Sequence, residues 1–221
     1  LDTVTVAGAT GFLSTVRVSG AATMASTLDI AGNTSVGGTL FVTGAGTFDN
    51  NVSVSGNLVV GGTATVVGAM SIGGAVSVGG ATNLLSTVTV AGATGFLGTV
   101  RVSGAATMAS TLDIAGNTSV GGTLFTTGAA TFDNNVSVSG NLVVGGTATV
   151  VGAMSVGGAL SVGGATNLLS TVTVAGATGF LGSVRVSGAT SVSNANVGGT
   201  LTVAGAVSLA STLSVGGATN L

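Results

Sequence analysis

The stretch TATVVGAMSIGGAVSVGGATNLLS, residues 63–86, decides the fold because it consists of four hexapeptides laid end to end. The fourth residue of each hexapeptide is apolar, namely Val66, Ile72, Val78 and Leu84. The second residue is apolar or small, and the fifth and sixth are mostly Gly. Because side chains alternate along an extended chain, the second and fourth positions lie on one side. Each hexapeptide therefore predicts a short strand facing a core, followed by a corner of two residues.

The same hexapeptide frame covers almost the whole chain of 221 residues. Fourteen hexapeptides form a repeat unit, and the second unit differs from the first at only six positions. A third, shortened unit follows, and the frame slips by one residue near Ser193–Gly199. We therefore predict one continuous β-solenoid over residues 1–221. Its internal units are residues 1–84, 85–168 and 169–221.

Helical and hairpin folds fit this pattern poorly. The frequent Gly, Val and Thr oppose a helix, and the strands are too short for a sandwich of hairpins. The segment Ile72–Ser77 matches the pattern [LIV]-G-x-x-[STAV]-x, and the chain resembles the hexapeptide repeat of left-handed β-helices. In many copies Ala or Ser replaces the Gly of that pattern, as at Ala7 and Ser19. The resemblance implies an all-β parallel β-helix with a triangular cross-section.

A second period of twelve residues bears on how many chains build one coil. In the first eight hexapeptides a small second residue alternates with a large one, and the small residue often precedes a bulky fourth residue. Thr10 precedes Phe12, and Ala22 precedes Met24. This alternation favours three intertwined chains, in which each layer is self-contained. The alternative is a single-chain left-handed β-helix with three hexapeptides per coil. The single chain would be roughly 60 Å long and the trimer roughly 175 Å.

The composition argues against catalysis. The chain has no His, Cys, Lys, Glu or Tyr, which are the usual general acids, bases and nucleophiles. We therefore expect no enzyme activity, no bound cofactor and no metal site. Three Arg residues make no basic surface for nucleic acid. Gly, Ser or Thr interrupts every apolar run well before the length of a membrane span, so no such span is expected.

One segment resembles the glycine signature of extended short-chain dehydrogenases. It is TVTVAGATGFLG, residues 87–98, and Asp113 follows at the spacing of a ribose-binding carboxylate. The hexapeptide frame explains it better, because Gly92 and Gly98 are sixth positions and Phe96 is a core position. The β-branched segment that follows does not favour the helix N-terminus that would bind a pyrophosphate. The Tyr and Lys of that family are also absent.

Two sets of predicted surface residues are candidates for a role. The first comprises four Asn-X-Ser sequons, which are possible glycosylation sites if the protein is secreted by a eukaryote; their asparagines are Asn33, Asn51, Asn117 and Asn135. The second comprises apolar or glycine residues at outward third positions, which indicate lateral packing between molecules. These residues are Phe41, Val59, Phe125, Val143, Gly11, Gly95 and Gly179.

The uninterrupted repeat indicates a structural role. Similar Thr/Val/Gly repeats occur in the fibres of phages and giant viruses and in the shafts of bacterial surface adhesins. That resemblance implies a shaft, spacer or self-assembling fibre located extracellularly or on a virion or cell surface. The expected partner is the protein itself, as a homotrimer or as an end-to-end homopolymer, and we expect the chain to be a piece of a longer repeat protein. The alternatives are a cytoskeletal filament of the bactofilin type and a glycan-binding or receptor-binding surface on an adhesin shaft.

Overall fold

The computed structural model describes residues 2–197, 199–209 and 213–214. Throughout these residues the backbone forms short parallel β-strands joined by corners, and no helix occurs in this part of the chain. Nearly every strand has three residues, which are positions two to four of one hexapeptide. The predicted all-β solenoid is therefore confirmed.

Three consecutive strands form one coil, and the strands of successive coils stack into three faces. Face I contains β1, β4, β7, β10, β13, β16, β19, β22, β25, β28, β30 and β32, which are Val4–Val6, Ala22–Met24, Leu40–Val42, Leu58–Val60, Val76–Val78, Thr94–Phe96, Leu112–Ile114, Ala130–Phe132, Ala148–Val150, Thr166–Leu168, Val184–Val186 and Leu201–Val203. Face II contains β2, β5, β8, β11, β14, β17, β20, β23, β26 and β33, which are Thr10–Phe12, Leu28–Ile30, Gly46–Phe48, Ala64–Val66, Thr82–Leu84, Val100–Val102, Thr118–Val120, Val136–Val138, Met154–Val156 and Val207–Leu209. Face III contains β3, β6, β9, β12, β15, β18, β21, β24, β27 and β34, which are Val16–Val18, Thr34–Val36, Val52–Val54, Met70–Ile72, Val88–Val90, Ala106–Met108, Leu124–Thr126, Leu142–Val144, Leu160–Val162 and Leu213–Ser214. Two longer strands, β29 (Val172–Phe180) and β31 (Thr190–Val197), run around a corner and belong to both face II and face III.

The register between successive coils is three hexapeptides. Val4 pairs with Ala22, Leu40 with Leu58, and the other pairs up to β29 follow the same offset. Backbone hydrogen bonds continue through the corners, where the N–H of Gly38 donates to the carbonyl of Gly20 at 2.8 Å. The 12 strands of face I, at about 4.8 Å per strand, give the chain an axial length of about 53 Å.

This register is that of the single-chain alternative. The preference for three intertwined chains differs from the structure, in which each strand pairs with strands of the same chain. The twelve-residue alternation has a different explanation in this structure. Each hexapeptide stacks on the third hexapeptide after it, and because three is an odd number, a hexapeptide with a large second residue stacks on one with a small second residue. Over the first eight hexapeptides, large and small second positions therefore alternate along a face, as Thr10, Leu28 and Gly46 do on face II. The handedness of the coil stays a prediction.

The core follows the hexapeptide frame closely. From Val18 to Val186 every second-position and fourth-position residue is buried. The core phenylalanines fit because the second residue of the same hexapeptide is small. A Cβ added at Gly46 would lie 3.0 Å from Cε2 of Phe48, so the Phe48 ring covers the glycine. The predicted volume compensation is thus present within the hexapeptide.

The sixth-position glycines are required by the close stacking of corners. A Cβ at Gly92 would lie 2.5 Å from the carbonyl carbon and oxygen of Gly74, one coil away. The non-glycine residues at this position lie between glycines of the adjacent coils. Ser26, for example, lies between Gly8 and Gly44 along its corner. A sixth-position side chain is therefore found only where the adjacent coils have glycine at that position.

The frame slip appears as a register shift at one corner. Between β29 and β31, Val174 pairs with Val192 at the usual offset, whereas Ala177 pairs with Asn194 at an offset one residue shorter. Two corner residues, Ala175 and Gly176, therefore face a single residue, Ser193. The later pairs on face I keep the shorter offset, as at β30 and β32. A corner absorbs the missing residue, and the strands on either side remain paired.

Two glycines in the dehydrogenase-like segment make a matched test of this packing. We expect Gly92→Ala to destabilise the protein by about 1–3 kcal/mol, because the new methyl group overlaps the backbone of the adjacent coil. Gly95→Ala has no neighbour within 4 Å and is expected to be neutral or to stabilise by roughly 0.5–1 kcal/mol, since Gly weakens a strand. Denaturant-induced unfolding measures both, and equal effects would refute the stacking explanation.

The buried Thr126 makes a second test, because its counterpart in the first unit is Val42. Each residue is fully buried, with a Met below and a Val above in its column. The Thr126 hydroxyl has no hydrogen-bond partner. We expect Thr126→Val to raise stability by about 1–3 kcal/mol, because an orphaned polar group is removed at nearly constant volume. Val42→Thr is the reciprocal control and should lower the unfolding midpoint; a rise would contradict this account.

Candidate functional surface

The ionisable side chains are scattered around the solenoid. The repeat unit of fourteen hexapeptides equals four coils and two further strands, so each copy of a residue falls on another face. Arg17, Arg101 and Arg185 accordingly lie on faces III, II and I. In the described part of the chain, no group of three or more His, Cys, Asp or Glu residues could hold a metal ion. The exposed features of the described residues include the corner asparagines and the apolar side chains of the three faces.

The sequon asparagines lie in corner columns. All four are exposed, and they form two stacked pairs, Asn33 with Asn51 and Asn117 with Asn135. The Asn33 side-chain oxygen accepts the N–H of Asn51 at 3.2 Å, and that of Asn51 accepts the N–H of Ala69 at 2.8 Å. The second unit repeats both bonds. These asparagines therefore join adjacent coils, and their glycosylation stays a prediction.

Other asparagines, which were not among the predicted site residues, have the same structural role. The Asn57 side-chain oxygen accepts the N–H of Ala75 at 2.8 Å, and the Asn50 amide donates to the carbonyl of Ala31 at 2.6 Å. The second unit repeats these bonds through its equivalent asparagines, Asn141 and Asn134. The detectable signal is an Asn at the first or sixth position of a hexapeptide, which places its side chain at a corner.

The fold brings the predicted lateral-packing residues together. Phe41 and Val59 are adjacent on face I, and Gly95 lies two coils beyond Val59 on the same face. Ser77 lies between Val59 and Gly95. Phe41 is 40% exposed, whereas a Cβ added at Gly95 would meet nothing within 4 Å. A protruding aromatic residue and an open stretch of backbone are thus displayed on one face.

The second unit displays the same order on face III. Phe125, Val143, Ser161 and Gly179 occupy successive coils there. Phe125 is again 40% exposed, and the space over Gly179 is open. Gly11 lies apart from these two sets, on face II. The lateral-packing role of these residues stays a prediction, although their arrangement into two equivalent sets is a feature of the structure.

The most exposed large apolar residues of the described chain were not among the predicted site residues. They are fifth-position leucines that follow the glycine-containing strands, and Leu97 is 74% exposed at the corner beside Gly95. A bulky apolar residue at a fifth position, where small residues predominate, is the signal that could have identified them. The equivalent residues are Leu13 and Leu181.

No family model, curated protein sequence or solved structure matches this chain. Within the described residues, no helix is long and apolar enough to cross a membrane. The interpretation of the surface therefore depends on the geometry of the chain itself.

The corner asparagines generate a stability prediction. We expect Asn135→Ala to lower stability by about 1 kcal/mol, because the N–H of Ala153 loses its 2.8 Å acceptor. Asn135→Asp retains an oxygen acceptor and also removes the sequon, so it should lose less. The unfolding midpoints of the two variants measure the difference. An alanine variant as stable as the aspartate variant would show that the bond contributes nothing.

Proposed function

We propose that this chain is a shaft segment of a structural fibre or filament, with no catalytic role. The observation that carries the proposal is the uniform coil. From Val4 to Phe180 each hexapeptide supplies one strand position and one corner, and no longer loop interrupts the stack. Binding and catalytic residues are most often found on loops, which this part of the stack lacks. The repetition therefore supports a role in setting length and displaying a regular surface.

The near-identity of the repeat units supports the same role. A unit contains a whole number of hexapeptides, so adding one unit extends the stack without breaking the frame. Each unit added in this way lengthens the rod and leaves its cross-section unchanged. We propose an extracellular, virion-surface or cell-surface location, which is supported by the family-level resemblance to fibre and adhesin shafts.

The length of the rod tests the proposal. Inserting a second copy of residues 85–168 should extend the particle by about 22 Å at constant diameter, because fourteen hexapeptides make about 4.7 coils of about 4.8 Å. Small-angle scattering and electron microscopy measure length and cross-section. Deleting residues 85–168 should shorten the rod by the same amount.

A matched control inserts a second copy of residues 85–164, which is not a whole number of hexapeptides. This insertion breaks the frame and should disturb the stack at the junction. A whole-unit insertion that leaves the length unchanged, or that widens the particle, would refute the shaft role. Filaments formed end to end by the purified chain would favour the cytoskeletal type of filament over a spacer.

A further inference from the structure

We propose that face I carries a self-complementary patch through which a second copy of this chain docks side by side and antiparallel. The inference rests on the proposed structural role and names the partner and its orientation. The patch consists of Phe41 and Val59, here called the ridge, and of Ser77 and Gly95, here called the flat. These residues occupy the third positions of four successive strands, β7, β10, β13 and β16.

The ridge and the flat are complementary in shape. The Phe41 side chain is 40% exposed beside the half-buried Val59, so apolar surface projects from the face. Three coils away Gly95 has no side chain, and the space above it is open. Leu97, 74% exposed at the adjacent corner, gives one side of this open space an apolar border. An aromatic ring from another molecule would be received at Gly95 beside Leu97.

The order of these residues fits a two-fold axis. The axis would run parallel to the strands, midway between β10, which contains Val59, and β13, which contains Ser77. Rotation about it places Phe41 opposite Gly95 of the second copy and Val59 opposite Ser77, and each contact occurs twice. An interface of this kind, in which one patch is its own complement, is the usual geometry of two-fold association. A parallel arrangement would instead oppose Phe41 to Phe41 and leave Gly95 facing Gly95 across a gap.

The third-position residues of the strands on either side of the ridge and flat are also complementary. The same axis places Thr23 opposite Asp113 of the second copy, and both lie at third positions of face I. A Thr hydroxyl can donate to an Asp carboxylate, which forms a charge-assisted hydrogen bond. The parallel arrangement would place Asp113 opposite Asp113, where two like charges repel. The antiparallel second copy is therefore favoured, because it avoids the contact between two Asp113 carboxylates and gives each one a hydrogen-bond donor.

The face is large enough for a specific interface. The rows from Thr5 to Thr131 span eight coils, or about 38 Å, and one side of the coil is about 20 Å wide for six extended residues. The product is roughly 750 Å² per partner, close to the roughly 800 Å² of a standard interface. The equivalent ridge and flat on face III would bind further copies, so that association extends beyond a dimer.

Chemical cross-linking tests the orientation, because the chain has no Cys. Thr5→Cys and Thr131→Cys are each made in a Phe125→Thr background, which removes the ridge of face III. In the antiparallel pair, residue 5 of one copy faces residue 131 of the other, whereas identical positions are about 34 Å apart. A bifunctional maleimide with a reach of about 10 Å should therefore link the mixed variants. Each variant alone should stay unlinked.

Two outcomes overturn the proposal. Cross-linking of either variant alone would show parallel pairing, and no cross-linking of the mixture would show that a second copy does not occupy this face. Adding Gly95→Val to both variants is the control for the flat; it should abolish cross-linking, since the added side chain fills open space and leaves the coil intact.

Rod length, measured on the same samples, separates the two proposals. A retained rod without cross-links refutes only the docking, whereas a lost rod refutes the shaft.

Sedimentation measures the strength of association in the chain without cysteines. We expect Phe41→Thr combined with Phe125→Thr to weaken self-association by about tenfold or more, since aromatic anchors dominate such interfaces. Thr already occupies the third position one coil away from each Phe, at Thr23 and Thr107, so the fold should tolerate the change. Unchanged association of a correctly folded double variant would overturn the proposal.

Discussion

The stacking of each coil directly on the previous one, about 4.8 Å away and in register, is the constraint on which the structure depends. Up to the register shift, every residue lies above another at the same position of its hexapeptide, so each position forms a column along the rod. In the core columns, a large side chain of one coil can stack on a small side chain of the next coil, as Leu28 does on Gly46. In the corner columns, Gly74 leaves no space for a Cβ at Gly92. The composition of the chain, with 41 Gly and no Pro, agrees with this requirement.

The mismatch between the sequence unit and the coil determines how the surface is organised. Fourteen hexapeptides are not a whole number of three-hexapeptide coils, so the copies of a surface residue occupy different faces. Phe41 and Phe125 lie on faces I and III for this reason. An equivalent position returns to its original face only after three units. A nearly exact sequence repeat thereby surrounds the rod with equivalent features instead of aligning them along one side.

The sequence predicted most of the local structure. The side on which each hexapeptide buries its residues and the place of the frame slip followed from the period alone. The number of chains that build one coil did not follow from the period, because the twelve-residue alternation fits both a layered trimer and a single chain with three hexapeptides per coil. The proximity of Phe41 and Gly95 depends on the offset of three hexapeptides, so sequence analysis identified both residues without placing them on one patch. The hexapeptide frame marks Asn57 and Leu97 as unusual corner residues, but the hydrogen bond of Asn57 and the exposure of Leu97 depend on how the coils stack.

The outward third positions of face I are of two kinds. Some carry residues that suit an exposed strand, and others carry residues suited to contact with another molecule. Its third-position column begins with Thr5 and Thr23 and returns to Thr at Thr131 and Thr149. Thr is favoured in strands and can be exposed to water without contact with another molecule. Between these stretches Ser77 is the only hydroxyl residue, and the departures include an exposed aromatic side chain, which makes a strand surface prone to association. Its copy in the second unit, Phe125, is exposed to the same extent on face III, and the proposed docking of a second copy depends on these two side chains.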